Sequence, residues 1–345
     1  MKKVGLLHGG GDAPGLNAVT RAIVHKADSL DFEVIGIKDG WAGLLGSKTL
    51  PLTKDVVKDI HKMGGTIIGT SRTNPYKKEG GEEKVLKNFE ALELDGLIAA
   101  GGEDTLGVAN KLYQKGLKVV GVPKTIDNDL SCTDQTFGFD TAVTIATEAI
   151  DRLHTTAESH HRCMVVEVMG RHAGWITLES GMAGGAHIIL IPEVPFDLDE
   201  VCEIVLKRKD DPGYTLIAAS EGARFKIEGK ESDEILQTQQ LDEFGHVRLG
   251  GIGKALEKLI EKKTGVETRS AVLGHLQRGG SPTAFDRNLG TKLGVKAVEL
   301  VAEGQFGQMA SLYNGQITSV PLSAAVGQLK TVSEELYETA KLFFG

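Results

Sequence analysis

Short apolar runs alternate along this chain with longer amphipathic segments. The runs at 4–7, 33–37, 96–100, 118–122, 163–168, 188–191, 215–219 and 271–273 read as strands. The segments at 16–27, 106–115, 141–157, 198–207, 253–263 and 288–301 carry helical periodicity. Strands alternating with helices predict an α/β fold with mainly parallel sheets covered on both faces by helices. In such sheets ligands bind beyond the carboxyl ends of the strands, so the polar segments at those ends hold the candidate chemistry. The stretch 226–248 is polar and poorly periodic and predicts an excursion, a hairpin or a short helix.

At 345 residues the chain has length for two domains of ordinary size, each with its own core. No run approaches the roughly 20 apolar residues that span a bilayer. The apolar stretch after Lys2 and Lys3 meets Gly9-Gly10-Gly11 too early for a signal peptide and reads as a first strand. The net charge of −8, from 39 basic and 47 acidic side chains, argues against general nucleic-acid binding and leaves room for local basic clusters. Cys132, Cys163 and Cys202 show no metal spacing and no C-x-x-C pair. Reduced thiols in a cytoplasmic protein are expected.

Three strand-end loops have phosphate-handling character. The first, Gly9-Gly10-Gly11-Asp12-Ala13-Pro14-Gly15-Leu16-Asn17-Ala18, leads from a strand into a helix. Its glycines allow close backbone approach to a ligand, and Asn17 can hydrogen-bond neighbouring loops. It matches neither G-x-G-x-x-G nor G-x-x-x-x-G-K-[ST]. The second, Gly101-Gly102-Glu103-Asp104-Thr105, places a carboxylate where an anion would be expected. Asp104 must either hold a cation or keep a negative group out. The third, Pro123-Lys124-Thr125-Ile126-Asp127-Asn128-Asp129, combines two carboxylates at i and i+2 with a Lys and a Thr. Asp127 can take a proton from an attacking hydroxyl, and Lys124 can neutralise charge on a transferring phosphoryl group. An ordinary Asp has a pKa of about 3.9, so Asp127 is expected to be ionised at neutral pH without tuning. Arg72, Arg162, Arg171, Arg269, His275 and Arg278 stand at strand margins and suggest a ligand with two anionic groups. His154 and His160-His161 have no third partner in a metal-binding pattern.

Together these motifs resemble one family, the phosphofructokinases, over essentially the whole chain. The resemblance rests on the first and third loops, on Met169-Gly170-Arg171-His172-Ala173-Gly174, and on Leu273-Gly274-His275-Leu276-Gln277-Arg278-Gly279-Gly280-Ser281-Pro282. It implies two Rossmann-like three-layer α/β domains enclosing a cleft. Residues 1–138 plus about 277–328 would hold the donor and Mg²⁺, and 139–276 plus about 329–345 would hold fructose 6-phosphate. It implies transfer of a phosphoryl group to the 1-hydroxyl of fructose 6-phosphate. By motif position Asp127 is the general base, Arg171, Thr125 and Lys124 stabilise the transferring group, and Asp129 lies beside the attacking hydroxyl. Met169, Gly170, Glu221, His275 and Arg278 would line the sugar-phosphate site. Arg162 and Arg269 would reach it from a neighbouring subunit, which implies a dimer or tetramer with shared sites. Gly10, Gly11, Arg72, Gly102, Asp104 and Lys124 would meet the donor and Glu103 the metal ion. Neither a nucleic acid nor a membrane is an expected partner.

The chain departs from the ATP-using members at two donor positions, where those typically carry Gly. Asp104 with Lys124 resembles the pyrophosphate-dependent group. A carboxylate about 4 Å from a nucleotide α-phosphate costs roughly 4 kcal/mol at an effective dielectric near 20, about a thousandfold in binding. Glu103 replaces an Asp at the metal-associated position and reaches one methylene further. Arg21 is kept where the family senses nucleotides, but His25, His154 and His187 stand at or near positions that are charged in regulated members. Two alternatives stay open, an ATP-dependent enzyme and a non-catalytic sugar-phosphate sensor. Sedoheptulose 7-phosphate stays open as a further acceptor.

Overall fold

Strands buried on both faces need helices above and below, and the apolar runs of this chain are placed accordingly. The structure, a computed structural model, describes residues 1–210, 213–226, 236–241, 247–249 and 251–345. Its strands in chain order are β1 (Lys2–His8), β2 (Phe32–Ile37), β3 (Thr49–Leu52), β4 (Gly96–Gly101), β5 (Val119–Pro123), β6 (Cys163–Val168), β7 (Ile188–Leu190), β8 (Thr215–Ser220), β9 (Leu236–Leu241), β10 (Val247–Leu249), β11 (Thr268–Val272), β12 (Gln308–Tyr313) and β13 (Gln316–Pro321). One sheet has the order β13-β12-β5-β4-β1-β2-β3, a second the order β11-β6-β8-β7, and β9 pairs with β10. The second sheet is wholly parallel. The first is parallel except at its two edges, where β3 and β13 run antiparallel to their neighbours.

Alternate side chains sort onto opposite faces, as the pleat requires. Val4, Leu6, Ile98, Ala100, Val120 and Val122 enter one core with the helices Leu16–Asp28 and Ala284–Ala302. Leu7, Leu97, Ala99 and Val119 enter another with Gly81–Ala91 and Glu103–Tyr113. The second sheet is sandwiched the same way. Met164, Val166, Leu216 and Ala218 face the helices Phe139–Ser159 and Trp175–Ala183. Cys163, Val165, Ile217 and Ala219 face Leu198–Lys207 and Ile252–Thr264. The chain crosses between the sheets more than once. β12 and β13 return to the first sheet, and the last helix, Glu334–Lys341, docks on the second through the bond from Tyr337 Oη to Ile189 O, 2.9 Å. On this layout we propose the division 1–138 with 277–328 and 139–276 with 329–345.

Several elements differ from the pattern reading. β3 contains Pro51 and sits at a sheet edge, the position where a strand tolerates proline. β12 and β13 form a hairpin whose two turn residues, Asn314 and Gly315, have φ of 49° and 73°. Asn-Gly is the pair that a two-residue turn with both φ positive demands. β11 begins at Thr268 rather than 271, because Thr268 pairs with Cys163. Helix Glu103–Tyr113 begins three residues before the expected start at 106. The described part of the 226–248 excursion is the antiparallel pair β9–β10, and the rest of it lies outside the described residues. Among the described residues no helix is long and apolar enough to cross a membrane.

One buried carboxylate ties two helix starts together. Asp286 is fully buried in the first turn of Ala284–Ala302. It accepts bonds from Gly138 N (2.8 Å), Thr141 N (2.8 Å) and Thr141 Oγ1 (2.5 Å), capping the helix Phe139–Ser159. Thr283 answers by donating its backbone N–H to Thr141 Oγ1 at 3.0 Å and its hydroxyl to Asp140 at 2.6 Å. Replacing Asp286 with Ala would strand the buried donors of Gly138 and Thr141 at the start of Phe139–Ser159, a cost of about 2–4 kcal/mol. The expected outcome is a lower urea midpoint for the variant. An unchanged midpoint would remove Asp286 from the framework.

Candidate active site

The carboxyl ends of β1, β4 and β5 lie side by side, with His8 opposite Ala100 and Gly101 opposite Pro123. The three loops therefore leave the sheet together. Gly9 N bonds Ala100 O and Gly10 N bonds Ser71 O, each at 3.0 Å, so the first loop lies flat between its neighbours. Asn17 fixes its far end, donating to Met63 O (3.2 Å) and Gly64 O (3.1 Å) and accepting from Ile67 N (3.0 Å). Thr105 wedges between the loops so closely that a Cβ on Gly9 or Gly101 would collide with it. Beneath the loops His8 is fully buried between Thr66 and Thr20. Burial, helped by the Lys124 charge, lowers its pKa to about 3, so it is a neutral hydrogen-bonding spacer.

Glu103 and Asp104 occupy the first turn of their helix rather than a free turn before it. Gly102 is the N-cap and supplies no capping side chain. The partial positive charge of a helix N-terminus stabilises carboxylates there by roughly 0.3–1 kcal/mol. The site that would attract an anion has thus been given two negative groups of its own. Lys124, 4% exposed, lines the same cavity and donates to Gly11 O at 2.5 Å. Its ammonium stands 3.4 Å from where a Cβ on Gly10 would be. Burial first, then the Arg278 charge, lowers the Lys124 pKa to about 8, which leaves it protonated at neutral pH.

In the third loop Asn128 adopts φ 52° and sets Asp127 and Asp129 on either side of it. One oxygen of each, Asp127 Oδ1 and Asp129 Oδ1, is buried without a hydrogen-bond partner. Burial raises both carboxyls, and Asp129 reaches about 7 with the Asp127 charge as the second cause. This corrects the expectation of an untuned base. Arg278, Arg171, Lys124 and Arg72 oppose the rise at Asp127, so surrounding cations rather than solvent favour its ionised form.

The second sheet supplies the facing wall. Met169 and Arg171 follow β6, Glu221 follows β8, and Arg278 closes the turn after β11. Glu221 N bonds Val168 O at 2.8 Å, and Gly222 N bonds Gly170 O at 3.1 Å. Burial, then the Asp127 charge, raises Glu221 to about 7. The cavity so enclosed is about 140 Å³. Of the residues expected at the site, Gly10, Gly11, Arg72, Gly102, Glu103, Asp104, Lys124, Thr125, Asp127, Asp129, Met169, Arg171, Glu221 and Arg278 line it. Gly170 lies behind this lining with φ 144°, its carbonyl accepting from Ser220 Oγ at 2.6 Å. His275 is exposed on the turn before Arg278. Arg162 and Arg269 stand apart, both paired with Glu267 at 2.9 and 2.6 Å.

A phosphofructokinase family model matches residues 3–301. The chain belongs to the phosphofructokinase family. It is 56% identical over 344 residues to the pyrophosphate–fructose 6-phosphate 1-phosphotransferase of Amycolatopsis methanolica, covering 99% of this chain and 100% of that one. It is also 50% identical over 347 residues to the ATP-dependent 6-phosphofructokinase of Mycobacterium leprae, with 99% and 100% covered. Its fold is similar to the T-state phosphofructokinase of Pichia pastoris, with a TM-score of 0.82 and 31% identity. That match covers 94% of this chain and 35% of the Pichia pastoris chain.

Within the phosphofructokinase fold, Asp12, Thr105, Ile126, His172 and Leu329 also line the cavity and had no assigned role in the sequence reading. Asp12 and His172 lie inside quoted motifs. Leu329 arrives from the far end of the chain, and no local signal announces it. Among the described residues no cluster of three or more His, Cys, Asp or Glu forms a ready metal cage. Mg²⁺ seldom needs one, since it takes one or two carboxylates, water and substrate phosphate oxygens. Glu103 in the lining and the partnerless oxygens of Asp127 and Asp129 are hard donors of that kind. Away from the cavity, His154 and His187 pack edge-on with Tyr214, and burial lowers His187 to about 4.

Gly11 and Arg278 pack closely in the cavity. A Cβ on Gly11 would lie 2.8 Å from Arg278 Nη1. The clash is with the end of a flexible side chain, so Gly11→Ala should fold normally and push Arg278 aside. Loss of one charged hydrogen-bonding contact is worth about 1.5–3 kcal/mol, so anionic substrates should bind about 10- to 100-fold more weakly. Calorimetric titration with each substrate, beside a thermal melt of the variant, checks this. Unaltered affinity would show that Arg278 does not meet a substrate.

Proposed function

We propose that this phosphofructokinase moves a phosphoryl group from pyrophosphate to the 1-hydroxyl of fructose 6-phosphate, giving fructose 1,6-bisphosphate and phosphate. The observation that carries the reading is Asp104 in the cavity wall, together with a Lys124 that is buried and bonded to the first loop. A nucleotide would bring its α-phosphate toward Asp104, and at an effective dielectric near 20 that repulsion is roughly 4 kcal/mol at about 4 Å. Pyrophosphate ends before that point. The name of the Amycolatopsis methanolica relative supports the same donor. An ATP-dependent enzyme is the second reading, favoured by the name of the Mycobacterium leprae relative.

In this scheme Asp127 accepts the proton of the 1-hydroxyl as its oxygen bonds to the transferring phosphorus and the bridging P–O bond breaks. Arg171, Lys124 and Thr125 stabilise the charge on the transferring group, and Asp129 holds the hydroxyl in line. Met169, Gly170, Glu221, His275 and Arg278 hold the sugar phosphate. Gly10, Gly11, Arg72, Gly102 and Asp104 shape the donor pocket. Glu103 is the residue that would hold Mg²⁺, which supplies charge neutralisation on the donor phosphates. Arg162 and Arg269, outside the cavity of their own chain, would serve the 6-phosphate of a neighbouring subunit in a homodimer or homotetramer. The exposed ion pairs that now occupy them are weak enough to exchange for a phosphate. The reading places the reaction in the cytoplasm, where three free cysteines stay reduced.

Turnover with pyrophosphate or ATP as sole donor separates the two readings, and turnover with ATP alone would overturn the first. Asp104→Gly, alone or with Lys124→Gly, should admit ATP, improving its binding by up to about a thousandfold if the repulsion is the whole barrier. Asp127→Asn should abolish turnover while sparing fructose 6-phosphate binding. In the unaltered protein the raised carboxyl pair must lose its protons before Asp127 can act as base. The kcat/KM profile should therefore fall as pH drops through about 7, where Asp129 titrates. A profile flat down to pH of about 5 would refute the tuned base.

A further inference from the structure

The third loop is held from behind by a segment that carries no family motif quoted above. Between the helices Leu322–Ala325 and Glu334–Lys341 the chain runs back across the gap between the two sheets. On one side it is laced to the third loop. Leu329 bridges Leu130, Ser131 Oγ donates to Gln328 O at 2.6 Å, and Lys330 N donates to Asp129 O at 2.8 Å. On the other side it is laced to the second sheet. Trp175 Nε1 donates to Lys330 O at 2.9 Å, and Val332 N donates to Glu193, whose carboxylate also caps the helix starting after Gly174.

Lys330 is the centre of this lacing. Its Nζ donates to Asn128 Oδ1 at 2.8 Å and to Thr133 O and Asp134 O, each at 2.9 Å. All three N–H bonds of an ammonium are thereby used. The ammonium also lies 5.7 Å from the centre of the Trp175 ring, within range of a cation–π contact. Asn128 is the residue whose positive φ separates the two carboxylates, and its Oδ1 also accepts from Thr136 N at 3.2 Å. Trp175 opens the helix that follows Arg171 and His172. One side chain and its own backbone thus touch both the loop carrying Asp127 and the element carrying Arg171.

We infer that Lys330 is a positioning residue that fixes Asp127 and Asp129 relative to Arg171. The inference rests on the phosphoryl-transfer reading for its assay and on the hydrogen bonds alone for its geometry. In-line transfer loses up to about a hundredfold from a misplacement of roughly 1 Å, so loss of the anchor should act on the chemical step. Burial lowers the Lys330 pKa to about 8, and the facing charges of Asp129, Asp134 and Glu179 hold the proton on.

The test is steady-state kinetics of the full-length protein, with whichever of pyrophosphate and ATP the unaltered chain uses. Unaltered protein against each donor tests the reaction, and variant-to-wild-type ratios with the working donor test the anchor. Lys330→Met should lower kcat at least about tenfold while KM for fructose 6-phosphate shifts less than about threefold. Lys330→Arg, which keeps the charge and several donors, should recover part of the loss. Asn128→Gly suits the positive φ and removes only the acceptor, so it should fold even where Lys330→Met does not, and should lower kcat in the same way. Combining the two should cost little more than either alone. Wild-type kcat in Asn128→Gly or in a folded Lys330→Met would overturn the inference, as would a loss confined to KM.

Discussion

Two carboxylates stand one residue apart in a loop that leaves an oxygen of each without a protein hydrogen bond. Everything around Asp127 and Asp129 answers the cost of holding that charge away from water. Four cations from four different loops face Asp127, and only the folding of both sheets against one cavity can bring them there. The backbone beneath is correspondingly rigid. The glycine loop is bonded at both ends, Thr105 fills the space between β1 and β4, and His8 below is kept neutral by burial. A site of this kind is costly until a ligand with complementary charge arrives. That is the condition under which a basic residue can be tuned and a phosphate bound without a dedicated metal cage.

The same economy appears at the donor end. A helix N-terminus normally offers its positive end to phosphate. Here Glu103 and Asp104 take that position, and the attraction is directed to side chains of the protein. Lys124 restores positive charge one loop further in, beside the glycines. On the proposed reading, this arrangement would suit a compact donor better than an extended one.

Much of this was legible in the sequence because it is local. Glycines between an apolar run and an amphipathic one can only mean a strand-to-helix turn, and the paired carboxylates of the third loop announce themselves by spacing. Asp104 was legible as an anomaly but was assigned to the wrong setting. Gly102 caps its helix without a side-chain bond, and the remaining start signal, two acidic residues in the first turn, was read as loop chemistry. The β12–β13 hairpin was passed over although Asn314-Gly315 is a clear turn signal, because β12 lacks an unbroken apolar run and β13 is partly exposed and polar. The raised pKa of Asp127 could not be read from its residue type, since burial produces it and the cations that oppose it come mostly from other loops. Leu329 and Lys330 were illegible for the same reason. They reach the third loop across about two hundred residues of chain, and a lysine in a polar segment gives no hint of the three acceptors that meet it.

The hydrogen bonds of Lys330 to a loop near residue 130 have a bearing on how the protein comes into being. Synthesis proceeds from the amino end, so this lysine, 202 residues beyond Asn128, leaves the ribosome well after the loop it fastens. By then the glycine loops, both carboxylates and most of each sheet have already emerged. A nascent chain can therefore assemble nearly all of its scaffold while its reactive loop still lacks a fastening.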